Sequence, residues 1–281
     1  MRELFIASVR SEFDKYIPAH QANSGSQLSF ATGRFDEGAA LLRYFMQSNM
    51  FRHERRVNVL DIGSGNGGTS FAFANSSSCT VHTLDLVPNV NLLAVRRVLP
   101  VPILPTVGDG SALPYKDGRF QVVLLLETLE HVAEPKNLAC EIMRVLEPGG
   151  VCVVTTPARV RYILRRDPHY GVPGLVALPN SIQRFIVDDL LKRTIQTPSG
   201  YLGRAYDVTH LYWHVNEIAT LFPLPRNIEV LYNRRYTPPG KFKLSWLRHP
   251  KLAIEQLHFN LREFFFDRIL VWKPGRPHDE G

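Results

Sequence analysis

Disulfides cannot organise this chain of 281 residues, because it holds three cysteines, Cys79, Cys140 and Cys152. Three thiols make no framework. Each falls in or beside a stretch expected to be core, as small buried residues of a reducing compartment do. A cytoplasmic location is the expectation. No cysteine pair has metal-ligand spacing. His210 and His214 lie four apart, a spacing that can share a helix face, but no third ligand accompanies them and no metal is expected. Long apolar runs are also missing. The longest near the middle, Val122–Leu126, is far too short to cross a bilayer. Met1 to Arg10 lacks the apolar stretch of a signal peptide. There is no repeat and no low-complexity segment.

The composition is ordinary for a globular protein, 44% hydrophobic and 21% charged. The charge is unevenly placed. Residues 1–150 carry 14 Lys+Arg against 15 Asp+Glu, and residues 151–281 carry 19 against 11, so the nets are −1 and +8. The basic half suits an acidic substrate, an anionic membrane surface or RNA, and equally a solvated surface.

What the sequence has in strength is Val57-Asn58-Val59-Leu60-Asp61-Ile62-Gly63-Ser64-Gly65-Asn66-Gly67-Gly68-Thr69. It reads as a buried strand, a glycine turn and a helix start. Glycines there allow positive φ and close approach of backbone to a ligand, and the helix start offers free N–H groups. Gly63, Gly65 and Gly68 also satisfy G-x-G-x-x-G, with Asp85 ending the next strand run, as for the ribose of NAD. Asp61 shifts that reading. A carboxylate at the strand end suits a cationic ligand and repels a pyrophosphate.

Along the chain, helices are expected at 2–17, with Phe5, Val9 and Phe13 on one face, and at Asp36–Gln47, with Leu41, Leu42, Phe45 and Met46 as its stripe. A loop is expected at 20–34. Strands follow at Thr80–Leu86, Ile103–Val107, Gln121–Leu126 and Val151–Thr156, with helices near Thr69, at Asn89–Val98 and at Glu134–Leu146. This alternation predicts an α/β fold with a doubly wound parallel sheet. It lapses after Pro157 for about fifty residues. There a helix is expected over Ser181–Arg193, capped by Asn180 with Gln183, its apolar face formed by Ile182, Phe185, Ile186 and Leu190. The pattern resumes with a helix at Val215–Phe222, a strand at Asn227–Tyr232, an amphipathic helix at 250–266 and a strand at Arg268–Lys273. The expected organisation is N-terminal helices at 1–50, a cofactor-binding half at 51–157, a substrate-side insertion or lid at 158–207 and a C-terminal completion at 208–281.

Val59–Gly67 resembles the first motif of class I S-adenosylmethionine-dependent methyltransferases, in their small-molecule, type 11-like branch. Asp85, Gly108-Asp109-Gly110-Ser111-Ala112-Leu113-Pro114, Phe120–Val132 and Arg144–Gly150 resemble the family's later motifs, in order and at its spacing. The resemblance covers 57–157. It implies a mostly parallel seven-stranded sheet with the last strand antiparallel, and S-adenosylmethionine as cofactor. It places Asp85 at the ribose hydroxyls and Asp109 at the adenine amino group. Asp61, Gly63, Ser64, Gly65, Gly67, Leu86, Gly110 and Ser111 are the expected surrounding contacts. Glu127 is expected at the methionine end, or capping the helix beyond, and Arg34 at the methionine carboxylate. His131, His210 and His214 are the candidate bases, with His131 ahead; a structural histidine is the competing reading.

Enzymes of this kind that act on nucleic-acid amines carry Asn/Asp-Pro-Pro-aromatic after the fourth strand. This chain has Leu126-Glu127-Thr128-Leu129 there, and no DNA partner is expected. The acceptor is expected to be an oxygen or nitrogen of a small molecule, sugar, glycan or lipid-linked compound, possibly acidic or phosphorylated, with peripheral membrane contact open. An RNA methyltransferase and a non-catalytic cofactor-binding scaffold are the alternatives.

Overall fold

The computed structural model describes residues 2–16, 24–47, 56–88, 92–93, 96–97, 101–159, 172, 174–192, 194–196, 202–204, 212, 215–231 and 268–275. The chain divides into two compact units. One comprises Met1–Leu125, Arg144–Val151 and Gly275–Gly281, the other Leu126–Met143 and Cys152–Pro274.

The first unit opens with α1 (Arg2–Tyr16) and α2 (Ser24–Gln47), followed by β1 (Val57–Ile62), α3 (Gly68–Ala74), β2 (Cys79–Asp85), β3 (Ile103–Val107) and β4 (Phe120–Leu126). β1 pairs in parallel with β2, from Val57↔Cys79 to Ile62↔Leu84, and with β4, from Val59↔Val122 to Ile62↔Leu125. β2 pairs in parallel with β3, from Val81↔Ile103 to Asp85↔Val107. β1 and β4 are buried on both faces, so Val59, Leu60 and Val122–Leu125 read as continuous apolar runs and not as alternation. The parallel register brings the ends of β1, β2 and β3 to one edge.

α4 (Pro135–Val145), β5 (Leu146–Thr155), β8 (Asn227–Leu231) and β9 (Arg268–Trp272) complete the main architecture. One seven-stranded sheet runs in the order β3-β2-β1-β4-β5-β9-β8. β8 and β9 pair antiparallel, from Asn227↔Trp272 to Leu231↔Arg268. This is the mostly parallel, doubly wound sheet expected from the sequence.

Several elements differ from expectation. The loop expected over 20–34 is helix from Ser24 onward, and α2 is continuous to Gln47. Its buried stripe is Ala31, Phe35, Gly38, Leu41 and Phe45, while Met46 is exposed. Close packing against α3 overrides the poor helix propensity at Gly38. A Cβ on Gly38 would come within 2.9 Å of Thr69 Cα, and one on Gly68 within 2.6 Å of the Ala31 carbonyl oxygen. The Glu147-Pro148-Gly149-Gly150 turn lies within the span of β5, with Gly149 at φ 82°. Cys140 is exposed on the outer side of α4, whose inner side carries Leu138, Ala139 and Ile142; Cys79 and Cys152 are buried as expected. Of 89–98 only Leu92, Leu93, Arg96 and Arg97 are described, and they are helical. The helix expected over 250–266 lies outside the described residues.

In the second unit, a 3-10 turn at Leu175–Ala177 precedes α5 (Asn180–Arg184), which runs directly into a π-helical stretch at Phe185–Leu190. β6 (Thr194–Gln196) and β7 (Leu202–Arg204) form an antiparallel ribbon that the sequence pattern did not announce. α6 (Val215–Ala219) leads back to β8. The N-cap of α5 is Pro179, not Asn180, and it makes no side-chain cap bond. Gln183 does not close a capping box; its amide donates to the Leu178 carbonyl at 2.6 Å. The face expected to be buried points outward, with Ile182 at 44%, Phe185 at 58% and Leu190 at 66% exposure. Gln183 and Val187 face inward instead, Val187 against Leu175 with Val172 and Ile186 beside it. The π stretch, with its i→i+5 bond from Leu191 N–H to the Ile186 carbonyl, shifts the phase of the residues at its end.

Candidate cofactor site

The turn after β1 is built from glycines in the left-handed region: Gly63 at φ 70°, Gly65 at φ 50° and Gly67 at φ 77°. Gly63 N–H donates to the Leu84 carbonyl at 2.8 Å, tying the turn to β2. Gly67 is the N-cap of α3. No side chain fits there, because a Cβ would come within 2.3 Å of Leu92 Cδ1. At Gly65 the situation is reversed: a Cβ would meet nothing within 4 Å. Backbone therefore borders open space at Gly65, as a ligand cradle requires.

Asp85, the last residue of β2, closes the turn from below. Its Oδ2 accepts from Ser64 Oγ at 2.6 Å, and the backbone N–H groups of Ser64 and Gly65 also bond its carboxylate. Burial pushes its pKa up to about 6 against the pull of those donors. Gly108 N–H donates to the Asp85 carbonyl at 2.9 Å, so the loop after β3 is moored to the same strand end.

Asp61 stands differently from its expected place in a ligand groove. It is 3% exposed and accepts from the Ser70 hydroxyl on α3, bracing β1 against that helix. Burial raises its pKa to about 7; Ser70's bond opposes this, the Asp85 charge adds to it and Arg34 opposes it. Arg34 is on α2, where its Nη1 donates to Glu37 Oε2 at 2.9 Å and its carbonyl accepts from Thr69 Oγ1 at 3.1 Å. Arg34 and the two aspartates thus share one electrostatic neighbourhood.

Asp109 is exposed and starts an Asx turn, its Oδ1 accepting from Ser111 N–H at 2.8 Å. Gly110 and Ser111 are half-buried beside it, and Leu86 is exposed. A residue that sequence reasoning quoted only as part of a motif, Arg144, holds this loop in place. From the last turn of α4 its guanidinium donates to the carbonyls of Tyr115 at 2.7 Å and Leu113 at 3.0 Å, and to Asp117 Oδ1 at 2.7 Å. A lone arginine before a glycine turn gives no sequence signal for three such bonds.

In the second unit, Glu127 follows β4 directly and has φ 52°, a conformation costly for a residue with a Cβ. Its N–H donates to the Thr155 carbonyl at 2.9 Å and to Thr155 Oγ1 at 3.2 Å. The next residues form a single 3-10 turn, Leu129–His131, that leaves His131 exposed. Glu130, missed at the sequence level, is 1% exposed and accepts from Thr156 Oγ1 at 3.0 Å. Tyr212 is buried and bridges to Ala158. Burial, then the charges of Glu130 and Glu217, push its phenol up to about 12 and keep it protonated. His210 and His214 lie outside the described residues. Among the described residues no group of His, Cys, Asp and Glu could hold a metal.

Residues 60–154 match the family model described as a methyltransferase domain. Over 105 residues the chain is 35% identical to norajmaline N-methyltransferase of Rauvolfia serpentina, covering 36% of each chain. It is 35% identical over 99 residues to 2-methyl-6-phytyl-1,4-hydroquinone methyltransferase of Synechocystis sp., covering 35% of this chain and 31% of that one. It is 31% identical over 141 residues to sterol 24-C-methyltransferase of Schizosaccharomyces pombe, covering 45% of this chain and 36% of the relative. The chain thus spans only about a third of the length of these relatives. The family match begins in β1 and ends in β5, taking in the glycine turn and the loop after β3, both moored to Asp85, and over that segment the chain is similar to methyltransferase domains.

Proposed function

We propose that this chain transfers a methyl group from S-adenosylmethionine to a small, largely apolar acceptor. The observation that carries the reading is the turn between β1 and α3, open beside Gly65 and closed below by Asp85, within a methyltransferase-domain segment. The donor set fits that cofactor better than a dinucleotide. The N–H groups of Ser64 and Gly65, which a pyrophosphate would need, already bond a carboxylate. Two acids near the turn suit a ligand with a sulfonium, an amine and hydroxyls, and oppose a phosphate.

Asp85 accepts the ribose hydroxyls; a carboxylate has about four acceptor sites and three are now taken, so a second ribose hydroxyl displaces the Ser64 hydroxyl. The backbone of Gly63, Ser64, Gly65 and Gly67 lies against the ligand without side-chain obstruction. Arg34 faces its amino-acid end, Asp61 supports the turn from behind by bracing β1 on α3, and Leu86, Asp109, Gly110 and Ser111 border its base. Bound there, the cofactor supplies an electrophilic methyl carbon whose bond to sulfur breaks as the acceptor lone pair attacks, leaving a neutral thioether. What the chain contributes is alignment and exclusion of water. Where the acceptor atom carries a proton, His131, His210 or His214 takes it as general base.

The acceptor class draws on the relatives named above, whose names specify an alkaloid, a phytyl hydroquinone and a sterol. Their names place the methyl on nitrogen in one case and carbon in another, so the accepting atom follows the acceptor and not the fold. The test is incubation with methyl-labelled cofactor and a panel of prenylated quinols, sterols and tertiary-amine precursors. Label is expected in one class, and single-turnover rates should fall about 10²–10⁴-fold in the histidine variant that removes the base. Calorimetry showing NAD bound in preference to S-adenosylhomocysteine would overturn the reading.

A further inference from the structure

Three donors already bond the Asp85 carboxylate. They are the backbone N–H groups of Ser64 and Gly65, and the Ser64 hydroxyl, which reaches Oδ2 at 2.6 Å. A carboxylate accepts about four hydrogen bonds. A ribose brings two hydroxyls of its own, so the donors exceed the acceptor positions by one, and one of the present donors leaves when both hydroxyls arrive.

The structure identifies which one. The Ser64 backbone is fixed on both sides: its N–H is on Asp85, and its carbonyl accepts from Gly67 N–H at 2.9 Å. Gly63 and Gly65 flank it at φ 70° and φ 50°, and Gly63 N–H is tied to the Leu84 carbonyl at 2.8 Å. Asp85 is held as well, by Gly108 N–H on its carbonyl at 2.9 Å. Moving either amide off the carboxylate would undo the turn. The hydroxyl leaves by rotation about a single side-chain bond, from one staggered well to another. Ser64 is only half-buried, and the space beside Gly65 is open.

We infer that Ser64 sets the cofactor affinity of this site and its selectivity for the ribose. Its hydroxyl is an internal stand-in for one ribose hydroxyl: it satisfies Asp85 before the cofactor binds and competes with the ribose for the same carboxylate afterwards. The inference rests on the cofactor reading above. Its first consequence is a weakened grip on any ligand that presents both hydroxyls. S-adenosylmethionine and S-adenosylhomocysteine share the ribose, so donor and product are loosened alike, which favours product release. Its second consequence is tolerance. A ligand that lacks the hydroxyl in question leaves Ser64 where it is, and the carboxylate keeps a full set of partners.

The experiment is calorimetry on the full chain at pH 8, where Asp85 is ionised. The ligands are S-adenosylhomocysteine and its 2′-deoxy and 3′-deoxy analogues. In the wild type, one of the two analogues is expected to bind within about threefold of the intact ligand, since Ser64 replaces the missing donor. In Ser64→Ala the intact ligand should bind about three- to tenfold tighter, the net worth of one hydrogen bond no longer broken on binding. The same analogue should then bind at least about tenfold more weakly than the intact ligand, because a hydrogen bond to a charged group is lost without replacement. Ser64→Gly also removes the hydroxyl and gives a second reading of the same ratio should alanine disturb the turn. The ratio is insensitive to a general weakening of the turn, which lowers the affinity of all three ligands together. Equal analogue penalties with and without the hydroxyl overturn the proposal. So does weaker binding of the intact ligand to both variants with thermal unfolding unchanged, since the hydroxyl would then hold the ribose and not yield to it. Absence of S-adenosylhomocysteine binding by the folded wild type removes the cofactor reading and this inference with it; binding without the coupling removes this inference alone.

Discussion

Asp61 and Asp85 are two carboxylates near one glycine turn, and burial acts on both. Asp61 titrates near 7 and Asp85 near 6, each above the ordinary carboxylate value. Between pH 4 and 7 the folded chain therefore keeps protons that the unfolded chain releases. The contribution of these groups to stability is fully present below the unfolded value and is lost as pH rises through 7. A shift of about three units corresponds to at most about 4 kcal/mol for Asp61. Asp61→Asn removes the ionisation while keeping an oxygen for the Ser70 hydroxyl. Urea midpoints at pH 5 and pH 8 should show the wild type losing stability relative to the variant; parallel behaviour would mean that Asp61 ionises normally. Asp85 is expected to show its effect in binding. Cofactor affinity should weaken as pH falls through about 6. Asp85→Ala should cost about 1.5–3 kcal/mol of binding, the range for hydrogen bonds to a charged group. Calorimetry with S-adenosylhomocysteine measures both effects, and unchanged affinity in a folded Asp85→Ala chain would remove Asp85 from the site.

At the scale of elements, legibility followed locality. β1, its turn and β4 could be read because buried parallel strands are continuous apolar runs and because glycines in the left-handed region mark turns directly. Asp85 and Asp109 could be placed at strand ends for the same reason, although their present partners, Ser64 and the Ser111 amide, could not. α2 was shortened because the polar, glycine-containing stretch before Asp36 argues against helix, and the close approach of Ala31 to Gly68 that favours it is not local in sequence. The α5 face was inverted because Gln183, bonded to the Leu178 carbonyl, takes the inward position expected for Ile182. Arg144 was passed over because its three acceptors lie some thirty positions back along the chain. Its importance is testable. Arg144→Ala leaves two carbonyls of the loop between β3 and β4 without their charged donor. Faster hydrogen exchange over 108–118 and weaker cofactor binding are expected together. Loss of fold without a change confined to that loop would assign Arg144 to general stability.

At the scale of the whole molecule, the family match begins at residue 60, yet the unit that holds the glycine turn begins far earlier. The reason is aromatic packing. Phe5 of α1 stacks on Phe35 of α2 at 5.2 Å and meets Phe71 of α3 at 5.3 Å, while Phe45 meets Phe73 at 6.5 Å. All seven residues of α3 are buried, and this is the helix that Gly67 caps and that Ser70 joins to Asp61. Without α1 and α2 the outer side of α3 would face water, and the turn would lose the support that fixes its glycines. Phe5→Ala should therefore cost about 3–5 kcal/mol, the range for deleting a buried aromatic ring. A chain lacking residues 1–47 should lose cooperative unfolding and cofactor binding together. Urea denaturation followed by circular dichroism, with calorimetry on the same samples, decides the matter. If the truncated chain unfolds cooperatively and binds S-adenosylhomocysteine as the full chain does, the N-terminal helices are an accessory layer, and the matched segment with its C-terminal strands suffices to build the site.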